Sequence, residues 1–145
     1  EITTRLVGSE MCIRDRNTAC NMSADGVLQE GACKIYRGTI DFKNGSAGAI
    51  GDEKETVLLL SDDVVNQSIP LILCSEEDVQ GNHGASIGRL DEELLFYLMS
   101  RGFSETDAVA MMAKAKIEGI CRRIDDEETV QLVERYLEGV IADAE

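Results

Sequence analysis

Hydrophobic periodicity changes once along this 145-residue chain, at Gly88. From about Val27 to Ile87 the apolar residues come in short or alternating runs, Lys34 to Phe42, Thr56 to Leu60 and Ile69 to Cys74, with GSAGAIGDEKE and SDDVVNQ between them. Each run has strand length, is rich in Val, Ile and Leu, and is bounded by Gly, Asp, Asn or Ser, which predicts strands. Beyond Gly88 apolar residues recur at helical spacing. Strands followed by helices predict a β + α fold. Asp62, Asp63 and Val64 match Glu77, Asp78 and Val79 fifteen positions on. That weak repeat predicts acidic turns at similar corners of successive coils, a pattern that suits a stacked parallel coil and an ordinary sandwich alike.

The helical half carries its own start and stop signals. Asp91 is a predicted N-cap, with Glu92 and Glu93 in the first turn at the positive end of the helix dipole. Leu94, Leu95, Leu98 and Met99 form an apolar stripe, and Arg101, Gly102 and Phe103 predict a Schellman-type stop. Ser104 and Asp107 form a capping-box-like opening to a second helix carrying Val109, Met112, Ala115 and Ile120. Asp125 or Asp126 caps a third, whose Val130, Val133, Leu137, Val140 and Ile141 recur at three and four positions. The expectation is a three-helix subdomain over residues 91–145, after a β region over residues 17–90.

Residues 1–16 stand apart. LVGSEMCIRDR, Leu6 to Arg16, lacks sustained periodicity and looks like the in-frame translation of a sequencing adapter. Residues 1–16 are therefore expected to be either an adapter-derived leader, with Cys12 foreign and the natural chain extending further toward its N-terminus, or a disordered tail.

Composition narrows the function classes. Lys and Arg total 14 against 28 Asp and Glu, a formal charge of −14. A field of that sign repels nucleic acid and anionic membrane surfaces, which points to protein partners. No apolar run reaches the roughly 18–20 residues a spanning helix needs, and the expected compartment is the cytoplasm. Cys12, Cys20, Cys33, Cys74 and Cys121 are odd in number, widely spaced and without a CxxC pair, so they read as reduced thiols, not as a disulfide framework or zinc knuckle.

The run GNHGASIGRLDEELLFYLMSRG, from Gly81 to Gly102, joins the only histidine, His83, to the first capped helix through what reads as a small-residue turn. It closely resembles the C-terminal signature of the SufB/SufD family, scaffold proteins of the SUF iron-sulfur cluster assembly machine. The resemblance runs from about Arg37 to Ile141. It implies that the strands are the last coils of a truncated right-handed parallel β-helix and that residues from Glu92 are the family's C-terminal helical domain. It further implies a scaffold subunit without an ATP site of its own, in keeping with the lack of a GxxxxGK[ST] phosphate loop. The implied partners are the SUF ATPase subunit (SufC-type) and a SufB-type scaffold or a second copy, and the implied cargo is a transient iron-sulfur cluster. The HGA form of the turn resembles the SufD branch, and His83 matches the family histidine near the heterodimer interface. Many SufD-type members carry a cysteine two positions earlier, where this chain has Gly81.

Each candidate also has an ordinary structural reading. His83 is a competent iron ligand, or a histidine bonded to the backbone of its turn. Cys74, nine residues earlier, is a weaker ligand candidate and reads more simply as a packed thiol. The acidic corners at Asp62–Asp63 and Glu76–Asp78 read as solvated turns. Leu95, Phe96, Tyr97, Met99 and Arg101 of the first helix divide between internal core and an ATPase-docking face, because aromatic residues, Met and Arg are enriched in interfaces. Two further classes compete with the scaffold: a small acidic adaptor unrelated to SUF, and a metal-dependent hydrolase built on His83. The second would need at least two more ligands, and the spacing shows no HExxH-type set.

Overall fold

A computed structural model of the chain describes residues 4–142, without the side chains of residues 4–7, 138 and 140–142. Val140 and Ile141 of the expected third-helix stripe thus lie outside the described side chains. The chain divides into two compact units, Glu1–Gly88 and Arg89–Glu145.

The first unit is six strands: β1 (Thr4–Ile13), β2 (Ala19–Leu28), β3 (Cys33–Phe42), β4 (Ala49–Leu59), β5 (Val65–Cys74) and β6 (Val79–Arg89). They alternate between two sheets, β1-β3-β5 and β2-β4-β6. β3 lies parallel to β1 and to β5, and β2 lies parallel to β4. Thr4 pairs with Cys33 and Cys33 with Val65, so each step across a sheet advances the chain by about 30 residues, within the range of stacked repeats. The corners stack as well. At one end the Leu60 N–H donates to the Leu28 carbonyl (2.8 Å) and Val65 to Ala32 (2.9 Å); at the other, Lys43 donates to Ile13 (2.9 Å) and Ser75 to Phe42 (2.8 Å). Turns at both ends are thus held to their neighbours by backbone hydrogen bonds.

This geometry corrects three sequence expectations. The fifteen-residue repeat joins opposite corners of one coil, the 60–64 turn and the 75–78 turn, so the coil step is twice that spacing. GSAGAIGDEKE is not a connection: Ala49 onward is β4, whose Gly and charged residues hid an alternation of buried and exposed positions. The small-residue turn around His83 is strand β6. Residues 4–13, set apart from the fold on the sequence, form β1, and Met11 and Ile13 join Ile40, Phe42 and Ala49 in the core cluster.

The second unit is α1 (Glu92–Ser100), α2 (Glu105–Cys121) and α3 (Glu127–Ala142). Asp91 Oδ1 accepts from the Glu93 and Leu94 N–H groups at 3.0 and 3.2 Å. Gly102 takes φ +97, its N–H donating to Met99 and that of Phe103 to Leu98, which is the Schellman stop. Ser104 caps α2 through the Asp107 N–H (3.1 Å), and Asp126 caps α3 through the Thr129 N–H (2.9 Å). Ala108, Cys121 and Leu137 are its buried residues among those described. Among the described residues no helix is long and apolar enough to cross a membrane.

Candidate functional site

Side chains alternate across a strand, so the parity of each strand decides which residues enter the space between the sheets. On β3 the inward set is Lys34, Tyr36, Gly38, Ile40 and Phe42; on β4 it includes Ala49, Gly51, Glu53, Glu55 and Val57. Ile40 and Phe42 make one end of the interior apolar. The other end is polar, and sequence reasoning missed it.

Glu55, 1% exposed, forms an ion pair with Lys34, which is 8% exposed. Asn66 of β5 sits 3.4 Å from both the Lys34 amine and Glu55 Oε1. Burial by itself would push the Glu55 carboxyl up; hydrogen bonds from Lys34, Ser68 and Asn66 outweigh it and hold the pKa below the ordinary value. Glu53, 4% exposed, lies in the same interior, its carboxylate beside the buried Tyr36 hydroxyl. Its carboxylate reaches over Gly38, where a Cβ would collide with it. Burial first, and then a hydrogen bond to Glu53 and the negative charge of that carboxylate, raise the Tyr36 pKa far above its ordinary value.

β6 carries His83 to the same region. Gly48 N–H donates to the Asp78 carbonyl (2.6 Å), and Asn82 Nδ2 donates to Asp52 Oδ1 (2.8 Å). Both bonds join residues with one constant offset, so β6 runs parallel to β4, with position 83 beside position 53. A Cβ on Gly81 would meet Phe42 at 3.0 Å and Ile72 at 3.1 Å, so Gly81 faces the interior. His83, two residues on, shares that face. The imidazole is exposed and lines an open depression of about 360 Å3 between residues 52–54 of β4 and residues 82–86 of β6.

The other candidates lie elsewhere. Cys74 ends β5, in the sheet opposite β6, and is exposed beside Phe42 in register. Among the described residues one group of three possible metal ligands lies together, Glu10, Cys12 and Asp41, without His83 or Cys74, and Asp41 is engaged by Lys43. The acidic corners are hydrogen-bonded: Glu76 accepts from the Gly45 N–H of a neighbouring turn at 3.0 Å, and Asp63 from the Ser61 hydroxyl of its own turn at 2.7 Å. These bonds hold both carboxyls below their ordinary pKa values, the largest cause being Gly45 for Glu76 and Ser61 for Asp63. On α1, which buries no residue, Phe96 is 73% exposed, Tyr97 and Met99 are exposed, Leu95 is half-buried, and the Arg101 guanidinium lies 5.0 Å from the centroid of the Tyr97 ring.

Two three-stranded sheets between which successive strands alternate, with a polar interior end, followed by three helices, define a β + α protein with parallel strands. The model of the family described as "SUF system FeS cluster assembly, SufBD core domain" matches residues 6–116, and the chain belongs to this SufB/SufD family. It is 31% identical over 137 residues to the iron-sulfur cluster assembly SufBD family protein of Mycobacterium leprae, covering 92% of this chain and 16% of that protein. It is 32% identical over 116 residues to the iron-sulfur cluster assembly protein SufD of Bacillus subtilis, covering 80% and 26%. A Staphylococcus saprophyticus SufBD family protein is 28% identical over 137 residues, covering 92% and 30%. The chain thus spans less than a third of the length of these relatives.

Proposed function

We propose that this chain is the C-terminal part of a SufD-like scaffold subunit of the SUF iron-sulfur cluster assembly complex. The observation that carries this reading is the family match over residues 6–116, joined by the likeness to Bacillus subtilis SufD. In this reading the six strands are the end of a right-handed parallel β-helix, supported by their alternation between two sheets and by the stacked corners. The protein acts in the cytoplasm by protein contact, with no ATP site of its own. The SUF ATPase docks on α1 through Phe96, Tyr97, Met99 and Arg101, with Leu95 at the edge of that face. A SufB-type subunit, or a second copy, pairs with the coil. The iron-sulfur cluster is cargo, and His83 is the residue nearest to it. In this reading residues Leu6–Arg16 are of adapter origin, although they lie within the matched range and form most of β1.

Carrying His83→Ala in the complete subunit tests the site. Cluster assembly on a SUF complex containing that variant is expected to fall severalfold while the complex still forms. Normal assembly by the variant would remove His83 from the chemistry and leave it a structural residue.

A further inference from the structure

We propose that Phe42 is a positioning residue for His83: its ring, wedged against Gly51 and Gly81 of the opposite sheet, selects the register of β6 on β4 that brings the imidazole beside position 53. The proposal rests on the reading of His83 as the residue nearest the cargo and adds what holds it there.

β6 needs such a device. It is an edge strand, rich in Gly, Asn, Ala and Ser, and every residue in it after Val79 is exposed. Burial therefore does little to fix its register, and Gly-rich strands of this kind are prone to slippage. The backbone ladder does not decide either, because its bonding pattern repeats every two residues. A slip of two residues would re-form most of the ladder and carry the imidazole about 7 Å along the strand.

Two features oppose a slip. Phe42, 0% exposed, fills space that two glycines leave. A Cβ on Gly51 would lie 3.1 Å from Phe42 Cζ and 2.8 Å from Ile40 Cγ2, and one on Gly81 would lie 3.0 Å from Phe42 Cε2 and 3.1 Å from Ile72 Cγ2. Moving β6 by two residues would put Val79 or His83 where Gly81 stands, against that ring. Moving it by one would put Gln80 or Asn82 into the same apolar end and turn His83 to the outer face. On that outer face the Asn82 amide donates to Asp52 at 2.8 Å, in the same register and one residue from His83. This bond is exposed to competing water, whereas the wedge is steric and buried, so the wedge is the selective element.

The test is the register itself, read from cross-strand nuclear Overhauser effects between β4 and β6 in the isotope-labelled 145-residue chain. The wild-type chain is expected to show those joining residues 51–53 to residues 81–83. Gly81→Val should lose them, although valine is the better strand former, and adding Phe42→Leu should restore them by making room. Gly84→Val, where an added Cβ meets nothing within 4 Å, should keep them. In the complete subunit, cluster assembly is expected to fall severalfold with Gly81→Val and to recover when Phe42→Leu is added. A different register in the wild-type chain, the wild-type register in Gly81→Val, no recovery by a folded double variant, or loss in Gly84→Val overturns the proposal. So does normal assembly by Gly81→Val where His83→Ala is impaired. Should Phe42→Leu fail to fold, Gly81→Ala takes its place: the wedge predicts a loss smaller than that of Gly81→Val, and an equal loss overturns it. If His83→Ala assembles normally, the reading of that residue fails, while the register measurement still decides the wedge.

Discussion

Lys34 and Glu55 are the pair whose loss the coil tolerates least. Replacing Lys34 with Met leaves Glu55 buried beside Asn66 without its cation, and such half-removal of a buried pair costs about 3–5 kcal/mol, to be read as a lowered urea midpoint. The same pair makes stability pH-dependent. Because the folded Glu55 pKa is lowered, its contribution is full above the unfolded glutamate value of about 4.3 and is lost as pH falls through the lower folded value. Melting temperature followed from about pH 6 to about pH 3 should therefore drop in that window, with a shallower drop in Glu55→Gln. None of this polar interior was legible in the sequence. GDEKE reads as part of a connection, and only the pairing of β4 with strands about 30 residues away turns alternate acids inward. His83 was legible because it is the only histidine, and it sits in a run with a family resemblance.

The helices were the most legible elements, since their limits are local chemistry. Asp91, Ser104, Gly102 and Phe103 each make the bond that their residue type predicts. Asp91→Ala should destabilise the helical unit by about 1 kcal/mol, visible as a loss of helical ellipticity on heating; an unchanged melt would mean that packing, not the cap, holds α1. The strands were legible in part. β3 was found nearly whole because its inward Tyr36, Ile40 and Phe42 give a conventional alternation. β6 was missed because its Gly, Asn and Ala residues carry little β propensity. Its strand conformation comes from pairing with β4. Gly81 shows the same dependence: read as a departure from a cysteine-bearing pattern, it is also where any side chain would press on Phe42 and Ile72.

For the molecule as a whole, sequence patterning marked the boundary between strands and helices but halved the coil step, because the fifteen-residue repeat compares two corners of one coil. β1 matters here irrespective of its origin, since Met11 and Ile13 pack on Ile40 and Phe42. Residues 17–145 expressed alone would leave the β3 edge and that apolar end uncovered, an arrangement that promotes self-association. Light scattering should show oligomers whose helical unit still melts as in the full chain, whereas a monodisperse, cooperatively melting monomer would contradict this view of the core. The scaffold reading itself is best tested by binding of the 145-residue chain to the purified SUF ATPase subunit, with the double substitution Phe96→Ala, Met99→Ala for comparison. Saturable binding, weakened by the substitutions while the helices stay folded, is the predicted result. No binding by a chain whose helical unit is demonstrably folded would contradict it and put the acidic adaptor in its place.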